Sequence, residues 1–573
     1  MSTRCFGGRH RTTSCGAASN LLIAAAGAGV LSYPFAAATQ GVILNVAATA
    51  AFACINAFTL SVVAAAAHRA HFSDPRCEDG RPLAPLVQLS APTYEATIGS
   101  WLGWRWKQVA AASVLIGSIG ALTGFTVIIC DLVQPILAEA AGSVTRCATL
   151  GAADCDATLS FLSQRWVVAA LFGAAMLPLS SARRLGSLAH SSILAAASVA
   201  AVTIVLALQS GRGGDPAGGG RRSLAGSQAG QWWSGGASGW AVLSTLPILV
   251  FALGNHLQLV PLWRDMVAPD AFPEAGPGSP GEAGGAAGEG RALLAAGLPG
   301  AGGMAAELAR GEDVAGAAVR PVAGAADDKV RGMTAGEADA DVDAAGRGLT
   351  VAMIAAAALC TLLYCVTGLV GLLSFGRDVC GDVLRSMGSP GSPALGCQGG
   401  DPSAAVAPVE PGGWAPWNLA AKSLMALHVA LAFPVILFPC REMLLHALAP
   451  LGAGTGLLSR LLTALLLTAS CAALAVGAPG VQVVFGLCGA TVSVTQIYLL
   501  PAAILWGWAG DGGAPGSGGG PGRPAPRGPV LRRLCACGET PVALRVQAAA
   551  VFVVGATLGV LGTGVTIWQT WLQ

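Results

Sequence analysis

Two short clusters carry the chemistry this sequence can support. In the run Asn20 to Gly41, NLLIAAAGAGVLSYPFAAATQG, the triplet Gly27-Ala28-Gly29 and Pro34 interrupt an otherwise apolar stretch. In residues 245–266, TLPILVFALGNHLQLVPLWRDM, Pro247 and Pro261 bracket Gly254-Asn255-His256. Glycine costs about 1 kcal/mol relative to alanine inside a helix, and proline about 3. In a membrane, such breaks persist only where the freed backbone is buried in protein or lines a cavity. N–H groups freed beside small residues can hold an anionic group such as a carboxylate. Each break is therefore expected to form part of a binding site.

The elements that position these clusters are membrane helices. The 573 residues are 54% hydrophobic and only 11% charged, against about 25% charged in soluble domains. Apolar runs long enough to cross the hydrocarbon core recur along the whole chain. Eleven spans are expected, at 18–38, 42–67, 106–138, 166–181, 186–209, 239–264, 349–376, 416–441, 457–477, 480–508 and 545–570. Pro135 is expected to kink or end the third, and Lys422 to snorkel from the eighth toward the membrane surface. Placing the N-terminus in the cytoplasm puts 24 of the 32 basic residues inside and seven outside. Without the seven in the long stretch Arg264 to Arg347, which should not be weighed, the count is still 17 to seven. The odd number of spans then puts the C-terminus outside or in a lumen, in the plasma membrane or a vacuolar or other internal membrane.

The remaining segments read as connections. Residues 1–17 form a cytoplasmic tail with no cleavable signal. Residues 18–209 and 239–508 are expected to be two five-helix halves joined by the outside loop 210–238. Residues 267–346, rich in Ala, Gly and acidic residues, and the Gly/Pro-rich linker 509–544 bury too little apolar surface to fold. Residues 545–573 hold the eleventh helix. The sixteen cysteines show no zinc spacing, and neither a metal nor a cofactor is expected. Two pairs fall outside, Cys147 with Cys155 and Cys380 with Cys397, where an oxidising compartment permits disulfides. No basic patch points to nucleic acid. No span carries the paired carboxylates or the His/Asp cluster of a membrane-embedded enzyme, and none carries the polar stripes of a channel.

The two breaks lie in spans one and six, five spans apart. That spacing implies an all-α inverted repeat of two five-helix halves, with discontinuous helices 1 and 6 meeting near mid-membrane. On these features the sequence resembles the amino acid/auxin permease family, nearest the branch of system A and system N neutral amino acid carriers. The resemblance runs in order through GAGVLSYPFAAATQG (27–41), PTYEATIGSWLG (92–103), LPLSSARRLGSLAHSS (177–192) and TLPILVFALGNHLQLVPLWRDM. It continues in LVGLLSFGRDVCGDVL (369–384), FPVILFPCRE (433–442) and VVFGLCGATVSVTQIYLLP (483–501). It implies a transporter that moves amino acids on a sodium or proton gradient, and the protein is expected to function as a monomer. It would place the substrate carboxylate and amine at Gly27, Ala28, Gly29 and Val30, with Phe251, Asn255 and His256 facing them from span six.

The sodium-coupled branch uses side-chain oxygens from spans one and eight. The corresponding positions here are Ile23 and the stretch Ala430-Leu431-Ala432-Phe433, which offer none. Proton coupling is therefore favoured over sodium. Ionisable residues inside membranes are costly and are functional candidates by default; here they are His256, His428 and Asp131. Tyr94 and Glu95 are expected to pack or to close the cytoplasmic gate. The expected activity is secondary active transport of a small neutral amino acid by alternating access. Sodium-coupled transport and an amino-acid sensor with little flux are the alternatives.

Overall fold

The computed structural model describes residues 13–72, 93–148, 161–162, 164–181, 189–211, 239–267, 335–375, 379–386, 415–448, 456–478, 480–511 and 541–568. Most of the expected loop 210–238, of 267–346 and of 509–544, and Cys155 and Cys397 lie outside them, as does the side chain of Cys147.

All regular structure among the described residues is helical. The first span is α1 (Ser14–Ala25), a 3-10 turn (Ala28–Ser32) and α2 (Tyr33–Gln40), bent by 48° at the break. Gly41 follows at φ 81° and turns the chain directly into α3 (Val42–Phe72). The same device recurs at Gly103 (φ 87°), between the short α4 (Tyr94–Leu102) and α5 (Trp104–Ala148). A positive φ is open to glycine at little cost, so both one-residue turns require it. Next come α6 (Arg165–Ser180) and α7 (Ala189–Gly211). The sixth span is α8 (Gly239–Ala252) and α9 (His256–Val267), separated by Leu253-Gly254-Asn255. Then follow α10 (Ala335–Phe375), α11 (Ala415–Leu448) and α12 (Leu457–Gly477). The tenth span is α13 (Val481–Cys488), two π-helical segments (Gly489–Ser493 and Thr495–Leu499) and α14 (Leu500–Asp511); α15 (Pro541–Ile567) completes the chain.

All eleven expected spans therefore find helix. Nine helices among the described residues are long and apolar enough to cross a membrane, and the bent first span makes a tenth. The other is α6, whose 16 residues reach about 24 Å at 1.5 Å each. Large apolar side chains such as Leu458, Leu462, Leu466 and Val560 stand exposed on α12 and α15, as lipid-facing positions should.

Three expectations need correction. Helix α5 runs through Pro135 to Ala148, past the expected end of the span at 138; proline removes one hydrogen bond and need not end a helix that is otherwise supported. Helix α10 starts at Ala335, so residues 335–346 are helical rather than loop. Lys422 is buried and engaged rather than snorkelling. Cys380 is disulfide-bonded, with its partner outside the described residues.

The core forms where α5, α8 and the tenth span meet. Gly117, Gly120 and Gly124 recur along α5, and a Cβ on each would run into Val492, Cys488 and Phe485 respectively. Small residues let membrane helices approach this closely. Gly489 does the same against α8, where a Cβ would collide with the Pro247 carbonyl oxygen. Backbone cannot yield as a side-chain tip can, so Gly489→Ala should destabilise the protein by about 1–3 kcal/mol. Gly507→Ala, with nothing within 4 Å, should be neutral. Heat stability of the two variants in detergent, read by size-exclusion fluorescence, checks this.

Candidate functional site

The two breaks face one another. A Cβ built on Gly29 would lie 2.7 Å from Ala252 Cβ, so glycine is what lets the 3-10 turn of the first span touch the end of α8. Beside this contact a cavity encloses about 60 Å³, space for roughly four to six waters at ~10–15 Å³ each. The first span contributes Ala24, Ala25, Gly27 and Gly29 to its wall, and the sixth contributes Phe251, Gly254, His256, Leu257 and Gln258. From α5 come Gly117, Ser118, Ala121 and Phe125; Ile436 of α11 and Cys488, Val492, Ser493 and Gln496 of the tenth span complete it.

Among the described residues, the wall contains no Asp, Glu, Lys or Arg. Its polarity comes from the side chains of Ser118, His256, Gln258, Ser493 and Gln496 and from helix ends. The first N–H groups and last carbonyls of any helix lack intrahelical partners, and here the last turn of α1 and the first turn of α9 both border the space. Roughly half an elementary charge resides at each end, positive at N-termini and negative at C-termini. A zwitterion with a small side chain matches that arrangement: a carboxylate for the N-terminal end, an ammonium for the carbonyls. Apolar Phe125 and Phe251 face the remainder, and Phe251 stacks on Phe485 at 4.5 Å.

Of the residues expected from the sequence, Gly27, Gly29, Phe251 and His256 line the cavity, and Val30 and Asn255 do not; the side chain of Ala28 lies outside the described residues. Asn255 Oδ1 instead accepts a hydrogen bond from Asn56 Nδ2 at 3.3 Å, tying the break to α3. His256 Nε2 lies 3.0 Å from the Thr59 hydroxyl. That hydroxyl also stands 3.0 Å from the Ile55 carbonyl and 3.2 Å from the Asn56 carbonyl. Nδ1 is buried without a hydrogen-bond partner among the described residues. His428 sits elsewhere, its Nδ1 donating to the Ala195 carbonyl at 2.9 Å and joining α11 to α7. Asp131 is also remote and pairs with Arg165 at 3.6 Å. Ile23 and Ala432 are completely buried.

A second, smaller cavity of about 20 Å³ lies next along α5 and α9. Its wall includes Tyr94, Glu95, Val114, Pro261, Arg264, Glu442 and His446, and Leu257 borders both spaces. The Tyr94 hydroxyl donates to the Gln496 carbonyl at 3.1 Å. Tyr94 and Glu95 thus stand beside the site and not in it.

Tyr364 of α10 is the residue the sequence does not announce. Its hydroxyl reaches the carbonyls of Ala25 and Ala252, the last residues of α1 and α8. Its ring stacks on Tyr33 at 4.2 Å and 6°. One signal was available: only four tyrosines occur in the chain, and this one interrupts an Ala/Leu-rich span. Ser118, Gln258, Ser493 and Gln496 were similarly visible as polar residues within apolar runs.

The profile of a family described as transmembrane amino acid transporter protein matches residues 10–276 and 344–505. No protein of curated function matches the chain in sequence. Among solved structures, the chain is similar to the crystal structure of MhsT in complex with L-phenylalanine. Identity is 11%, the TM-score is 0.47, and the match covers 98% of this chain and 100% of that one.

With Gly29 packed on Ala252, Gly29→Leu has nowhere to place its side chain except into the cavity or the helix contact. Binding of L-alanine to the purified variant, followed by thermal shift, should fall at least tenfold, while Gly239→Ala, in open space, should bind normally.

Proposed function

Because the chain belongs to the transmembrane amino acid transporter protein family and moves amino acids across a membrane, we propose that it is a proton-coupled secondary carrier of small neutral amino acids. The observation that carries this reading is a small cavity, walled without formal charge, between two broken helices. An acidic or basic substrate would leave its side-chain charge unpaired there, at a cost far above that of a neutral side chain. Rotation of one helix bundle against the rest would expose the cavity to each side in turn. The pairing of breaks in the first and sixth spans supports two five-helix halves of opposite orientation, and the basic-residue count supports a cytoplasmic N-terminus.

The surroundings of the site support the proton as coupling ion. Sodium needs several hard oxygen ligands, and buried Ile23 and Ala432 supply none at the positions where the family resemblance would put them. His256 lines the cavity with one ring nitrogen unpartnered among the described residues, and histidine is the side chain that titrates near neutrality when unperturbed. We assign it the transported proton.

In proteoliposomes, an inside-alkaline pH gradient should drive L-alanine accumulation without sodium, and a protonophore should abolish it. Uptake that requires sodium and survives the protonophore would overturn the proton assignment. His256→Gln should keep counterflow of L-alanine but lose gradient-driven accumulation by at least tenfold.

A further inference from the structure

The contact between Tyr364 and the two helix breaks has an imbalance. A phenol carries one hydrogen and so donates to one carbonyl at a time. The hydroxyl stands at both Ala25 and Ala252 oxygens, each at the negative end of a helix. Whichever carbonyl it does not serve faces the phenolic lone pairs, in a place without described charge or side-chain donor to compensate. Tyr364 is completely buried, and a Cβ on Gly29 would come within 3.8 Å of its oxygen. The hydroxyl therefore lies directly behind the cavity wall. Ala25 belongs to that wall, whereas Ala252 does not. A donor arriving in the cavity meets Ala25 and not Ala252, so it would take the first carbonyl and leave the second to the phenol.

We propose that Tyr364 is a positioning residue for the substrate's ammonium group. With the cavity empty its proton is shared between the Ala25 and Ala252 carbonyls; when an amino acid binds, the ammonium takes over the Ala25 carbonyl and the phenol donates to Ala252 alone. Occupancy at the end of α1 is thereby reported to the end of α8, with no bond broken other than a hydrogen bond. The stack on Tyr33 holds the ring while the hydroxyl hydrogen reorients. This role rests on the reading of the cavity as an amino acid site and is independent of the coupling ion.

The test compares L-alanine with propionate, which keeps the carboxylate and methyl group but lacks the amine. Binding is measured by thermal shift on purified wild-type protein and on Tyr364→Phe, which retains the ring. The phenol makes one hydrogen bond whether the cavity is empty or filled, so the variant should bind both ligands within about twofold of wild type. A tenfold loss for L-alanine would place the phenol in direct contact with the substrate and would overturn the proposal. Wild-type protein that binds no L-alanine would instead sink the small-neutral reading. The switch itself is read on the intact protein by 3-fluorotyrosine labelling. Tyr33→Phe, Tyr94→Phe and Tyr498→Phe assign three of the four fluorine signals. The fourth should shift with L-alanine and not with propionate; a signal indifferent to both would overturn the proposal.

Discussion

A backbone group inside a membrane must find a partner within the protein, because no water is present to supply one. That constraint governs this molecule at the two places where it is broken. Helices α1 and α8 both stop within the bundle, each leaving carbonyls without the N–H groups that a continuing helix would provide. The two ends are brought together over Gly29 and served by a single hydroxyl, that of Tyr364. The glycine seam on α5, the π-helical turns of the tenth span and the prolines of α8 and α9 are arranged around that junction. The cavity is what remains beside it.

Charge is handled by the same economy. Arg165 meets Asp131 and also donates to the Ala475 carbonyl at 3.0 Å, joining α5, α6 and α12. Arg441, fully buried, donates to the Ser180 carbonyl and to Glu442 and lies over the Phe438 ring. An unpaired ion at these depths would be expensive, so these charges are consumed by structure. The cavity wall is left to dipoles, which can hold both poles of a zwitterion. A transporter must release what it binds, and helix ends and hydroxyls attract an amino acid less firmly than fixed counter-ions would.

Much of the fold was legible. Hydropathy located every helix-bearing span, since about 20 apolar residues in a row have few other uses. Gly27-Ala28-Gly29 and Gly254-Asn255-His256 marked the breaks because glycine and proline weaken helices wherever they occur. The site was legible only in part. Gly27, Gly29, Phe251 and His256 border the cavity, yet Val30 and Asn255, their immediate neighbours, turn elsewhere. In a helix or 3-10 turn one residue's step rotates the side chain by 100° or more. An error of a single position therefore exchanges the cavity for the core. Asp131 and His428 were singled out by the rule that intramembrane ionisable groups are functional, and both are occupied in joining helices.

The sequence alone determined that this chain is a bundle of membrane helices with two paired interruptions, because hydrophobic length and backbone breakage are local properties. Only the tertiary structure decided which faces of those interruptions meet and what lies across from them. Ser118, Gln496 and Tyr364 reach the junction from spans far away in the chain. Helix rotation and crossing are set by packing, which no local pattern encodes. The break in the first span was always going to bind something or be buried; its contact with Ala252, across Gly29 and beneath Tyr364, sets it beside the cavity together with the break in the sixth.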